Sequence, residues 1–341
     1  MSSQKISNLT STGSQLYKDK TKGKIVSHDE KKAIVNEIVD MLQVLYKDSN
    51  TNFNDSEKKL IKTMMYVNII SKDNDLEIKQ IVSKDHKEWM LQTGQPRDKN
   101  RELFDYDHWK RFKAYISTKQ GINTSKFEEQ VRVVLRNMPD PQNYDESWLS
   151  RGLVVGNVQS GKTTNYIGLM NKAVDVGYKI IIVLAGATND LRKQTQIRIE
   201  EGFTGKNSLS KSKIGVSLAI EDDKNDYRSI QYYTTRDEKG DFSEKVQQHI
   251  NISENWSKDE PCTLFVIKKT KSVLENLEKF LLSRTDEGKK IPSPLLLIDD
   301  ECDYASIDTS KIDDDNKEFD ATTINKLIRK IMHRFERTSY V

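Results

Sequence analysis

Along the first 138 residues, apolar positions recur only at helical spacing. Ile34, Val35, Ile38, Val39, Met41, Leu42 and Leu45 form one stripe, opened by Ser27-x-x-Glu30, a capping box whose side chains satisfy the first backbone amides of a helix. The same reasoning predicts helices over 55–70 and 76–91, another through Trp109, Phe112, Tyr115 and Ile116, and one that Ser125-x-x-Glu128 opens and that stops before Pro139 and Pro141. Residues 1–26 lack periodicity and read as a flexible tail. An all-helical domain over 27–138 is the expectation.

From Pro139 the pattern changes to short apolar runs alternating with helical segments, the signature of a parallel α/β sheet. Leu153 to Val155, 179–185, Thr263 to Ile267 and Leu295 to Ile298 read as buried strands, with weaker ones near 214–220 and 229–234. The run Ile180 to Leu184 is apolar without a break, as in a strand covered on both faces. Helices are expected from Lys162 to a stop at Gly177, over 190–200 with Asn189 as N-cap, over 272–282, and from Ile324 to Phe335. Residues 139–341 therefore read as one α/β domain.

Composition narrows the classes. A chain of 341 residues suggests two domains, or one large domain with an appendage, and 35% hydrophobic residues suffice for a core. No apolar run approaches the roughly 18 residues that span a bilayer, and the N-terminus lacks a signal-like apolar segment. A cytoplasmic protein without a membrane partner is expected. Cys262 and Cys302 lack metal-ligand spacing and read as reduced and partly buried. The net charge of +3 is near balance, so a nucleic-acid footprint must be local.

The chemistry is carried by two stretches. Gly156-Asn157-Val158-Gln159-Ser160-Gly161-Lys162-Thr163 fits GxxxxGK[ST] between an apolar run and a helix, the order a phosphate-binding loop needs. There the amides from Gly156 to Thr164 would cradle a polyphosphate, Lys162 would face its β- and γ-phosphates, and Thr163 would ligate magnesium. Asp299-Asp300-Glu301-Cys302-Asp303 follows the apolar run Leu295 to Ile298. A buried parallel strand delivers Asp300 to the carboxyl edge of the sheet, where it can hold magnesium, and leaves Glu301 as the base for the attacking water. ATP and Mg2+ are the expected cofactors. A GTPase would carry NKxD, which is absent; Asp237-Glu238-Lys239-Gly240 spells DxxG in a polar turn. Glu77-Ile78-Lys79 has the spelling of a nuclease metal site but lies on a helical pattern and reads as a salt-bridged surface. His86 and His108, near Trp89 and Trp109, read as packing contacts.

The order of these stretches resembles superfamily 2 helicases, with a RecA-like core. The resemblance implies that Arg192, Gln194, Thr195, Arg198, Lys268, Lys269 and Thr270 contact nucleic-acid phosphates; the alternative is a solvated helix face and a lysine-rich turn. More specifically, VVGNVQSGKTTNYIGL, KAVDVGYKIIIVLAG, LRKQTQIRIEEGF, FVIKKTKSVLENL and LLLIDDECDYASIDT are similar to the Z-one domain family. Its members are described as endonucleases and occur with restriction-modification or phage-defence genes. Cys302 stands where that family more often has alanine. The resemblance implies an ATP-driven motor acting on DNA with other subunits of a defence system. It also implies that the strand begun at Thr338 continues into a second RecA-like lobe, so that this is the N-terminal part of a larger protein. An ATP-licensed endonuclease and a nucleotide-gated assembly scaffold are the other readings.

Overall fold

Strand β2 (Ile180–Ala185) runs through the interior with all six residues buried. The computed structural model in which it lies describes residues 9, 12–13, 15–17, 19–21, 28–45, 54, 57–62, 65, 86–120, 124–155, 161–219, 230–243, 261–285, 289–302, 306 and 323–341. The chain divides into two compact units, Met1–Gln80 and Ile81–Val341. The division therefore falls well before Pro139, where the change of pattern places it.

In the first unit, helix α1 (His28–Leu45) buries Val35, Ile38, Val39 and Leu42 as its stripe predicts. The expected tail contributes to this core. Its described residues are helical, and Leu9 and Tyr17 pack with Ile61 and Met65 against α1. Gly13 allows the approach, since a Cβ there would meet Met65 Sδ at 2.5 Å.

In the second unit, β2 is flanked by β4 (Thr263–Lys268) and β5 (Leu295–Asp299), and the sheet is completed by β1 (Trp148–Arg151), β6 (Arg337–Tyr340) and β3 (Gln231–Tyr232). The order is β1-β6-β5-β2-β4-β3, and every pairing is parallel. The two-residue period sends alternate side chains to two cores. Ile181, Val183, Leu264, Val266, Leu296 and Ile298 face helices α2 (Asp107–Gln120), α3 (Thr124–Asn137) and α4 (Lys162–Val176). Ile180, Ile182, Leu184, Phe265, Leu295 and Leu297 face α6 (Lys271–Leu282) and α7 (Thr323–His333). Helix α5 (Asn189–Ile199) follows β2. The fold is α/β, a parallel sheet between helical layers.

This shared core is why 107–137 does not stand apart: Trp109, Phe112, Phe127 and Val131 bury in the same cluster as β2. Gly168 lets α3 lie close to α4, where an added Cβ would meet Val131 Cγ2 at 3.0 Å. Five further expectations shift. Residues 86–91 are not helical, because Gly94, at φ 88, closes a turn that bridges Met90 to Pro96. The weak strand near 214–220 is a short 3-10 turn, Gly215–Leu218. Helix α3 starts one residue before Ser125, and Thr188, not Asn189, caps α5 by accepting from Leu191 N. Leu153, Val154 and Val155 are exposed and form no strand. In the last case the ladder of β1 with β6 runs to Arg151↔Tyr340, and Leu153, Val154 and Val155 lie beyond that register.

Asp175 on α4 caps α2, accepting from the amides of His108 and Trp109 at 3.0 and 2.9 Å. Burial outweighs these two bonds and pushes its carboxyl up to about 7 from 3.8. The folded protein thus holds this proton more tightly than the unfolded chain. The stabilisation is complete below the ordinary value and is lost as pH rises toward about 7. The denaturation midpoint of the protein is expected to fall between about pH 4 and pH 7, with Asp175→Asn flattening that part of the profile.

Candidate active site

The carboxyl ends of β2, β4, β5 and β6 and the first turn of α4 meet at one edge of the sheet. Gly161 precedes α4 in the left-handed region, at φ 77, and among the described residues nothing lies within 4 Å of an added Cβ. Lys162 begins the helix and is exposed, whereas Thr163 and Thr164 are half-buried. Gly156, Asn157, Val158, Gln159 and Ser160 lie outside the described residues, as do Asp303 and Glu77-Ile78-Lys79. With one strand, β6, between β1 and β5, the carboxyl ends of those two strands stand about 10 Å apart.

Strand alternation sorts the acids. Asp299 shares the α6 and α7 side with Leu295 and Leu297, so Asp300 turns toward α4. There Tyr166 OH donates to Asp300 Oδ2 at 3.2 Å across 134 residues of sequence. Thr163 and Thr195 lie near the same phenol, where their hydroxyls oppose the rise in its pKa. Burial, reinforced by the charge of Asp300, raises the Tyr166 pKa, so the phenol keeps its proton and acts as a donor. Tyr166 thus brings Asp300 to the helix turn that carries Thr163. The fourth contact is Arg198, whose Nη1 donates to Thr163 Oγ1 at 3.1 Å.

Glu301 is exposed and left-handed, at φ 57. A non-glycine residue held there costs on the order of 1–3 kcal/mol. Lys269 supplies the restraint, donating to Glu301 O at 2.6 Å while pairing with Asp299 Oδ1 at 2.9 Å. Neither side chain of that pair has any exposed surface. Tyr340 OH on β6 donates to Asp299 Oδ2 at 2.6 Å, and Lys269 also reaches Ser306 Oγ at 3.4 Å. The Glu301 carboxylate lies over Gly186, the residue after β2; a Cβ there would stand 3.4 Å from Oε2.

The residues assigned by resemblance to nucleic acid separate. Lys269 is internal, as above, and a charge with no exposed surface cannot meet a backbone phosphate. Arg192 is fully buried, donating to Thr235 O at 2.8 Å and to Asp237 O, so it fastens the turn at 235–240 to α5. Thr195 is buried beside Tyr166, and Arg198 lies on Thr163. Lys268 donates to Asn189 Oδ1 at 2.7 Å, Gln194 is exposed, and Thr270 is half-buried at the N-cap of α6. These seven positions do not form one basic surface. Cys262 is buried, its thiol pushed up to about 12 by burial, and neither cysteine is bonded to another.

Tyr166, Asp299, Tyr340 and Gly186 were not singled out from sequence. Tyr166 carried a signal, lying three residues after Thr163 and hence on the same helix face. Tyr340 carried none, because its partner is 41 residues distant.

The described residues hold no group of three or more His, Cys, Asp or Glu side chains that could bind a metal unaided. One hydroxyl and one carboxylate, Thr163 and Asp300, suit magnesium, which takes few protein ligands when phosphate oxygens complete its shell. No described helix is long and apolar enough to cross a membrane. No family model, no curated protein and no solved structure matches the chain.

Replacing Lys269 by Met leaves Asp299 buried without its cation, which costs about 3–5 kcal/mol. Denaturant unfolding of Lys269→Met is expected to show a loss of that size, partly recovered by adding Asp299→Asn. A surface lysine would change stability by less than about 0.5 kcal/mol.

Proposed function

We propose that this chain is a magnesium-dependent ATP hydrolase built on a RecA-like core. The observation that carries the reading is the bond from Tyr166, three residues after Thr163 on the same helix, to Asp300 Oδ2, which brings the end of the glycine-loop motif to the acidic strand. Magnesium would bind between Thr163 and Asp300 and neutralise charge on the β- and γ-phosphates. The first turn of α4 offers free backbone amides and a positive dipole end to the phosphates, and Lys162 adds a full charge there. Glu301, exposed and set in a fixed backbone conformation at the same edge, orients a water and accepts its proton. Tyr166 holds Asp300 toward Thr163 and, remaining protonated, does not compete as a base.

Work on DNA as the motor of a restriction-like or phage-defence protein rests on the resemblance to superfamily 2 helicases and the Z-one family. Surface contacts for that role reduce to Gln194, Arg198, Lys268 and Thr270, since Arg192, Thr195 and Lys269 are buried.

Lys162→Ala is expected to lower magnesium-ATP affinity by about 100-fold in equilibrium titration while leaving the unfolding midpoint unchanged, because a charge-assisted phosphate contact is worth about 1.5–3 kcal/mol. Unaltered affinity would sink the assignment. For Glu301→Gln, the expectation is retained affinity with single-turnover hydrolysis slowed by about 10² or more. A parallel loss of binding would instead make Glu301 a ligand.

A further inference from the structure

We propose that Arg198 belongs to the nucleotide site, as the cation that contacts the terminal phosphate of a bound nucleoside triphosphate. The inference rests on the ATPase reading above and extends it to a residue of this chain that the sequence resemblance assigns elsewhere.

Helix α5 is fixed on three sides. Arg192 is buried and bonded to the carbonyls of Thr235 and Asp237. Gln196 donates to Glu200 Oε1 and to Thr234 O at 3.1 and 3.2 Å. Beyond Ile199 the chain enters a π-helical turn, Glu200–Thr204, against α4, where Asn171 Nδ2 donates to Gly202 O at 3.1 Å. A Cβ at Gly202 would meet Ile167 Cγ2 at 2.9 Å, so the approach is close. The helix can neither roll nor slide without breaking buried bonds.

That fixed orientation points one face at the start of α4. Thr195 and Arg198, three residues apart, lie on the same face. Thr195 meets Tyr166, and Arg198 meets Thr163. Arg198 therefore stands beside the hydroxyl proposed to ligate magnesium, on an exposed side chain long enough to move.

A guanidinium and a divalent cation repel each other at one oxygen. When Thr163 Oγ1 is given to a cation, Arg198 loses its acceptor. The nearest new acceptors are the oxygens of the phosphate that shares the cation, and the planar fork of donors suits two of them at once. A diphosphate lacks the terminal group and offers Arg198 less. The residue is thus positioned to distinguish triphosphate from diphosphate, and to add positive charge where phosphoryl transfer develops negative charge. A nucleic-acid role fits less well, because on α5 Arg192 and Thr195 are buried and Gln194 is uncharged, which leaves Lys193 as the other exposed cation of the helix.

The test is equilibrium titration of the whole chain with fluorescent ATP and ADP analogues, with and without magnesium, comparing wild type, Lys162→Ala, Arg198→Ala and Arg198→Lys. Thermal melts confirm folding of each variant. Arg198→Ala is expected to weaken magnesium-ATP by about tenfold or more, the scale of one charge-assisted bond, and magnesium-ADP by less than about threefold. Arg198→Lys should recover part of the loss, since it keeps the charge without the fork. If Lys162→Ala loses ATP affinity and Arg198→Ala does not, Arg198 is not in the site and the ATPase reading stands. Equal losses of ATP and ADP in Arg198→Ala would contradict a terminal-phosphate contact. If Lys162→Ala binds ATP as wild type does, the ATPase reading falls and this proposal with it. A loss confined to single-stranded DNA binding by Arg198→Ala would overturn the proposal in favour of a nucleic-acid contact.

Discussion

Two oppositely charged side chains with no exposed surface, Lys269 and Asp299, sit at the carboxyl edge of the sheet, and the candidate site is registered to them. Burying an ion pair costs several kcal/mol per ion unless hydrogen bonds complete both partners. Here Tyr340 bonds Asp299 Oδ2, and Ser306 and the Glu301 carbonyl bond the ammonium, while among the described residues Asp299 Oδ1 has the ion pair alone. They come from β6 and from the segment after β5, so one buried pair, with its lysine from the end of β4, ties three strand ends together. Its energetic value against an apolar replacement is small or negative by general experience. Its structural effect is to fix the turn after Asp299, and with it the direction of Asp300 and the left-handed backbone of Glu301.

Much of this architecture was legible in the chain. The unbroken Ile180 to Leu184 and Leu295 to Ile298 could only be covered strands, and both are. Gly177 closes α4 in the left-handed region, as a helix-ending glycine does. The order of acids was legible, but their division was not. Which of Asp299, Asp300 and Glu301 faces which layer depends on strand parity relative to the two cores, and parity becomes visible only when the partners of Leu295 and Leu296 are known.

Helix α5 shows why the nucleic-acid assignment failed at Arg192. Its buried positions are Arg192, Thr195, Gln196 and Ile199. They follow the helical stripe of an inward face, yet three of the four are polar, so a reading keyed to apolar residues sees a solvated helix. The hydrogen bonds that make such a face buriable come from carbonyls at 234–237, distant in sequence. The same blindness placed a domain boundary at Pro139. Proline marks a turn locally, whereas the sharing of a core by Trp109, Phe127 and β2 is a tertiary fact.

The central claim is that Thr163 and Asp300 act on one ion although they come from different elements. A double-mutant cycle on magnesium-ATP affinity, using Thr163→Val, Asp300→Asn and the pair, tests this most directly. Two ligands of one ion require non-additive losses, with a coupling of about 1 kcal/mol or more and the double variant little worse than the poorer single one. Additive losses, or a magnesium contribution to affinity that survives in the double variant, would contradict the account.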